Sequence, residues 1–356
     1  PPARPPDRTR PTPRSPVFEI AERLLARLDA GERLAVATAV SIDGSAPRTV
    51  GTSMAVTDDG TVIGSISGGC VEGAVYESCR QVLDDGAAQL DTFGFSDETA
   101  FEVGLSCGGR IEVLARLVTA DDAVTVAALR EAAAGREAVA HVVVGPVRTG
   151  DVVASPDDCE GLRVFSERSV PPPRLLVFGA VEFAVALCNA GAVLGYRVTV
   201  CDPRPVFLTR ERFPAAEQVV VEWPPNYLAR TEIDERTVVA VLSHDERFDA
   251  DLVAAALASP AVYVGAMGSR TTHDRRVASL RERGVHEEAL ARLHSPIGLD
   301  LGASTPEETA VSILAEVLAV RSGASRSPLR ERSGSIHAPM RWVPVLGGGS
   351  ALTRRE

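Results

Sequence analysis

The chain contains no lysine: all 37 basic residues among its 356 are arginine. That absence excludes a P-loop lysine, a Schiff-base lysine and a lysine general base. Aromatic residues make up only 4%, so the 45% hydrophobic content is chiefly Ala, Val and Leu. No uninterrupted apolar run in the sequence approaches the ~20 residues that a membrane span needs. The opening residues are rich in Pro and Arg and lack the apolar stretch of a signal peptide, so the cytoplasm is the expected location. The six cysteines, at 70, 79, 107, 159, 188 and 201, include no C-x-x-C pair. Zinc-ribbon and thioredoxin readings fail on that spacing, and no disulfide framework is expected in a cytoplasmic chain of this size.

What is present is an ordinary globular balance, with 24% charged residues and a net charge of −11. The ends are basic. Residues 1–16 hold four Arg against one Asp, and residues 321–356 seven Arg against two Glu, leaving a body of about −19. Such a body repels phosphate backbones, which excludes general nucleic-acid binding. Both tails read as solvated and disordered.

The expected fold class is α/β, in two domains. In the first, residues 17–170, a helix is expected over 18–30 and a buried strand over 34–40. A hairpin turns at Asp58-Asp59-Gly60, a helix covers 71–83, and strands fall near 89–93 and 111–117. This α+β core ends near 118, and a connecting segment follows. Three consecutive prolines, Pro171-Pro172-Pro173, form a stiff spacer that marks the boundary. Over 174–320, strands alternate with helices, as in a Rossmann-like, doubly wound parallel sheet.

Two loops of the first domain invite chemistry. Cys70 closes Gly68-Gly69-Cys70 between a strand and a helix, where the helix N-terminus would lower a thiol pKa and free N–H groups would hold an anion. The bland alternative is a small hydrophobe in a tight turn. Cys107-Gly108-Gly109 nearly mirrors it, so the two cysteines read as two walls of one site, either a soft-metal site or a redox pair. Arg48, in the long loop before the hairpin, is the natural partner for an anionic ligand. Cys79, Cys188 and Cys201 read as packing, and Cys159 as incidental.

In the second domain, Gly179 opens a turn that ends at Ala184, but Val181 stands where a dinucleotide-binding turn needs its middle glycine. Asp202 falls where a ribose-binding acid belongs. Ser243-His244-Asp245 follows a later strand, with His244 and Asp245 offering acid–base chemistry or scaffolding. Gly265 to Arg270 places two glycines, among them Gly268, and Arg270 ahead of a helix as a phosphate cradle. His273 reads as a surface residue, and Glu307 and Glu308 as helix capping rather than metal ligands.

Several segments together, G-S-A-P-R-T-V-G, S-I-S-G-G-C-V-E, S-C-G-G-R, Y-V-G-A-M-G-S-R-x-x-H and H-S-P-I-G-L-D-L-G-A-x-T-P-E-E, resemble the xanthine dehydrogenase accessory protein family, the XdhC/CoxI family. The resemblance spans residues 17–320. It implies a non-catalytic maturation factor that carries the molybdenum cofactor (molybdopterin) as cargo, supports its sulfuration with a cysteine desulfurase, and passes it to a molybdenum hydroxylase apoenzyme. A homodimer is the expected assembly. The family's cysteine motifs fall on Cys70 and Cys107, the candidate molybdenum ligands, and its Gly/Arg loop on Arg48. The family's G-A-G-H-x-A turn is departed from at Val181 and Glu182, so any NAD(P) role of the second domain is in doubt. Two other readings stand beside this one: an NAD(P)-dependent oxidoreductase and a thiol redox or metal-sensing module.

Overall fold

The computed structural model describes residues 16–43, 48–69, 71–94, 110–153, 155, 159 and 161–333. Two compact units divide between Pro171 and Pro172. Among the described residues, no helix is long and apolar enough to cross a membrane.

The first unit opens with a 3-10 turn, Pro16–Ile20, and α1 (Ala21–Asp29). Next come β1 (Leu34–Asp43), β2 (Ser53–Thr57), β3 (Val62–Gly64), α2 (Glu72–Asp85), β4 (Gln89–Phe93) and β5 (Arg110–Val118). The five strands form one antiparallel sheet in the order β3-β2-β1-β5-β4. The side chains of β1 alternate between its two faces. Leu34 and Val36 pack with α1 and with α3 (Ala123–Ala133), whereas Ala35, Ala37 and Ala39 pack with Val75, Cys79 and Val82 of α2. A second antiparallel sheet follows from β6 (Ala138–Val143), β7 (Val152–Val153) and β8 (Val164–Ser169), ordered β7-β6-β8. Glu167 of β8 is buried and accepts a hydrogen bond from Thr38 Oγ1 (3.2 Å). Burial pushes its carboxyl up, against the pull of Arg116 and Thr38.

In the second unit, β9 (Arg174–Phe178), α4 (Glu182–Val193), β10 (Arg197–Cys201), β11 (Gln218–Val220), α5 (Pro224–Arg230) and β12 (Val238–Val241) come first. Then follow α6 (Asp249–Ala258), β13 (Tyr263–Ala266), α7 (Arg270–Glu282), α8 (Glu287–Leu290), β14 (Leu293–His294) and α9 (Pro306–Ser322). The six strands are all parallel, in the order β11-β10-β9-β12-β13-β14. This is the doubly wound arrangement, with its switch point between β9 and β12. Leu175 and Val177 of β9 face α4 and α9, while Leu176 and Phe178 face α5 and α6. Glu308 closes a capping box with Thr305 at the start of α9, the role expected from the sequence.

A buried polar hub ties α9 to the edge of this sheet. Glu316 accepts hydrogen bonds from Tyr263 Oη (2.7 Å) and the Gly298 N–H (2.9 Å), and pairs with His294 Nδ1 (3.0 Å). The ring of His294 stacks on that of Tyr263 at 4.4 Å. Gly298 stands at φ +101°, and a Cβ there would come within 2.5 Å of Ser312 Oγ, so only glycine fits. Burial opposes the Glu316 charge, but the bonds from His294, Tyr263 and Gly298 outweigh it and hold the carboxyl at about 2 against an ordinary 4.5. A carboxyl lowered on folding contributes stability that is whole above its unfolded value and is lost as pH falls through its folded one. Glu316→Gln is therefore expected to flatten the acid limb of stability between pH 4.5 and about 2, read as urea midpoints at stepped pH. An acid limb identical to that of the parent protein would refute this account of the hub.

Candidate functional site

The loop that carries Gly68 and Gly69 joins β3 to α2. Both glycines are exposed and both have positive φ, +86° and +122°. The N-cap residue of α2, Val71, has no side chain that can accept the first N–H groups. Glu72, the first residue of the helix, turns back instead over the loop that precedes it. Its Oε1 accepts from the N–H groups of Ser67 (3.0 Å) and Gly68 (2.7 Å) and from Ser65 Oγ (2.8 Å). Its Oε2 accepts from the N–H groups of Gly69 (2.8 Å) and Val71 (3.3 Å) and from Ser67 Oγ (2.5 Å). Burial alone would raise the Glu72 carboxyl, yet the bonds from Ser67, Ser65 and Gly68 hold it well below the usual carboxylate range. The expectation of free N–H groups for an external anion is thus corrected: these donors already have an acceptor within the chain.

Cys70, Cys107, Gly108 and Gly109 lie outside the described residues. Among the described residues, no group of three or more His, Cys, Asp or Glu converges as metal ligands. Arg48 is exposed, with its NH2 3.7 Å from Glu19 of the 3-10 turn, an ion pair too loose and too wet to hold it. Cys79 is fully buried on α2, and burial pushes its thiol up to about 12. Cys188 and Cys201 are likewise buried, with thiols pushed up to about 11 and 12. All three pack as expected.

In the second unit the C-terminal ends of β9, β10, β12 and β13 carry Gly179, Asp202, Ser243 to Asp245, and Met267 to Arg270. Gly179 has φ +112°, and a Cβ there would stand 2.8 Å from the Ser243 nitrogen, so close packing of two strand ends demands glycine. Asp202 is 2% exposed. Its Oδ2 accepts from the Ala180 N–H (2.7 Å) and Arg204 NH2 (2.8 Å), and its Oδ1 from Arg204 N and Nε (both 2.9 Å). Burial raises this carboxyl, and the Arg204 and Ala180 bonds bring it below its ordinary value. With Asp202 closed by Arg204 and Val181 in place of the middle glycine, these residues do not fit the ribose and pyrophosphate of NAD(P).

His244 is exposed, and the neighbouring Asp245 does not serve it as an acid–base partner. Asp245 pairs with Arg247 (2.5 and 2.8 Å), whose guanidinium lies over the Trp223 ring. Ser243 Oγ is buried and has no partner among the described residues. Gly268, at φ +153°, precedes Ser269, whose Oγ accepts from the Thr272 N–H (3.1 Å) and caps α7; Arg270 is exposed at the first helical position. His273 is half-buried with Nδ1 enclosed and unpartnered, not the surface residue expected.

Sequence reasoning missed Arg276. Its side chain is 2% exposed, and it donates from Nε to Asp249 (2.8 Å), from NH2 to the Met267 carbonyl (3.0 Å) and from NH1 to Ser295 Oγ (3.0 Å). One guanidinium therefore fixes the loop after β13, the loop after β14 and the start of α6. The signal that could have found it was its i,i+4 spacing from Leu280, the other buried residue of α7.

An antiparallel unit with a glycine–cysteine loop, followed by a Rossmann sheet whose crevice aspartate, Asp202, is paired with Arg204, defines the class: a two-unit α/β protein. Residues 27–94 match the model of the XdhC and CoxI family, and residues 175–317 match that of the XdhC Rossmann domain. The chain belongs to the XdhC and CoxI family. It is 29% identical over 322 residues to a probable xanthine dehydrogenase subunit of Bacillus subtilis, covering 83% of this chain and 96% of that protein. It is also 29% identical to PaoD of Escherichia coli, a molybdenum cofactor insertion chaperone, over 83% of this chain and 85% of PaoD. A crystal structure described as a xanthine dehydrogenase from Bacillus halodurans shares the fold, with TM-score 0.71 and 24% identity over 87% of this chain and 96% of that one.

Two outcomes follow from the second unit. Arg276→Leu leaves the Asp249 carboxylate without its partner and is expected to cost about 3 kcal/mol or more in urea unfolding. Adding Asp249→Asn is expected to recover part of that loss; no recovery would mean that the ion pair is not the cause. Titration with NADH, followed by its fluorescence, is expected to give no saturable binding, and a stoichiometric endpoint would overturn the reading of Asp202 and Val181.

Proposed function

We propose that this chain is a maturation factor that binds the molybdenum cofactor as cargo, supports its sulfuration together with a cysteine desulfurase, and delivers it to a xanthine dehydrogenase-type molybdenum hydroxylase. The observation that carries the reading is its likeness to a molybdenum cofactor insertion chaperone along 83% of the chain. The chemistry of the first unit supports it. Molybdenum takes soft sulfur ligands, and Cys70 and Cys107 are the two cysteines set in glycine-flanked loops. The pterin's phosphate requires a cation, and in a chain without lysine that cation is an arginine. Arg48, exposed and only loosely engaged by Glu19, is free to take that part. The Gly68 and Gly69 N–H groups are not, because Glu72 holds them.

In this reading the protein works in the cytoplasm as a homodimer and performs no turnover of its own. The second unit serves as scaffold rather than as a nucleotide enzyme. The test is metal and pterin analysis of protein purified from a molybdenum-replete host. Wild-type chain is expected to carry molybdenum and pterin together, and the Cys70→Ser, Cys107→Ser double variant to lose both at least tenfold. Retention of cofactor by the double variant at wild-type affinity would sink the assignment.

A further inference from the structure

The second unit engages nearly all of its arginines. Between Arg174 and Arg326, every arginine except Arg270 and Arg326 has a carboxylate, carbonyl or hydroxyl oxygen as partner. Arg270 heads α7 beside the crevice already described. Arg326 follows the end of α9 and has no hydrogen bond or ion pair among the described residues. It lines a cavity of about 410 Å³ together with Arg292, His294, Val262, Val320 and Ala324. None of the lining residues is acidic, although the chain carries a net charge of −11.

This cavity lies at the end of the sheet away from the crevice. Val262 and Arg292 precede β13 and β14, whereas Gly268 and Ser295 follow them. The last turn of α9 closes the same end. Arg292 donates to the carbonyls of Leu257 (3.0 Å), Ser259 (3.3 Å) and Ala261 (2.7 Å), which hold its guanidinium in place without cancelling its charge. His294 is fixed by its stacking on Tyr263 and by the bond from Nδ1 to Glu316, so Nε2 is the ring nitrogen left over. Glu316 is already filled by Tyr263, Gly298 and His294 and is not part of the lining. At the end of α9 the Ala319 and Val320 carbonyls accept from the Ala324 and Gly323 N–H groups (2.9 and 3.3 Å), so the negative end of that helix is closed from within.

We propose that this cavity binds a small carboxylate with a short apolar body. Two guanidinium groups with no carboxylate beside them leave a positive field that an anion answers. The Arg326 fork matches the two oxygens of a carboxylate, and Arg292 and His294 stand in the same lining to favour its charge. Val262, Val320 and Ala324 offer apolar surface to the hydrocarbon. A bare inorganic anion would use the cations and leave that surface wet, whereas a cation would meet two like charges. The volume falls within the range of small-molecule sites. Every residue named here belongs to the second unit, so the proposal stands apart from the molybdenum reading, which rests on the first.

The experiment uses the full chain with carbon-labelled histidine and follows the His294 imidazole by NMR, its signal assigned through His294→Gln. Butyrate and hexanoate are titrated at constant pH and ionic strength. Butyrate is expected to shift the signal saturably in the millimolar range, and hexanoate to bind roughly tenfold more tightly because it buries two further methylenes. Arg326→Ala alters an exposed residue without a partner, so its urea midpoint is expected to stay that of the parent protein. Its affinity for hexanoate is expected to fall roughly tenfold. Inorganic phosphate and butylamine are expected to give no saturable shift. A His294 signal that hexanoate does not move, or hexanoate binding left unchanged by Arg326→Ala, would overturn the proposal. Saturation by butylamine would overturn the assigned charge, and phosphate binding as tightly as hexanoate would overturn the apolar body. No arm of the test involves molybdenum or pterin, so its failure and that of the proposed function are distinguishable.

Discussion

Backbone N–H groups at the junction between a strand and a helix must find acceptors, and in this chain internal carboxylates repeatedly supply them. Glu72 gathers the loop before α2, Asp202 takes the Ala180 N–H at the turn before α4, and Glu308 closes the start of α9. Glu316 does the same for the Gly298 N–H from the body of α9. These bonds are charge-assisted and stronger than neutral ones, so they fix the loops that donate to them. The acidity of the body, about −19 between its basic ends, is thus partly a structural resource rather than only a solvated surface.

The elements that periodicity could reveal were legible. Residues 89–93 and 174–178 form the strands expected of them, and the hairpin at Asp58-Asp59-Gly60 joins β2 to β3. Alternation over 174–320 pointed to a parallel sheet, and the six strands are parallel. The pieces of the second unit that escaped were short: β11 and β14, of three and two residues, and α5 and α8, of seven and four. Elements of that length carry too few apolar repeats to register a period. They are held by the sheet beside them rather than by their own pattern.

The candidate site was legible in its residue types but not in its wiring. Sequence pattern marks Gly68-Gly69-Cys70 as a special turn, yet it gives a glutamate at a helix start only a general capping value. That Glu72 bends back to gather six donors depends on two positive-φ glycines acting together. Arg276 escaped for a related reason: an arginine on a polar helix reads as solvated until the tertiary fold brings Asp249, Met267 and Ser295 around it. In the crevice, Asp202 stands where a ribose acid belongs, and only the neighbouring Arg204 determines that it is closed. The sheet topology follows from the cores on its two faces rather than from the residues in its crevice.

The position of α9 has a consequence for the order in which the protein is made. Ala310, Ile313, Leu314 and Val317 complete the same core as Leu187 and Cys188 of α4, although more than a hundred residues separate them. A ribosome that has released α4 and β9 to β13 has therefore produced a sheet with one face only half covered. That apolar face stays open until the last helix of the unit emerges, and a chain that stalls before residue 306 presents it to whatever is nearby. Completion of the second unit is a late event in synthesis, set by where its final helix is encoded.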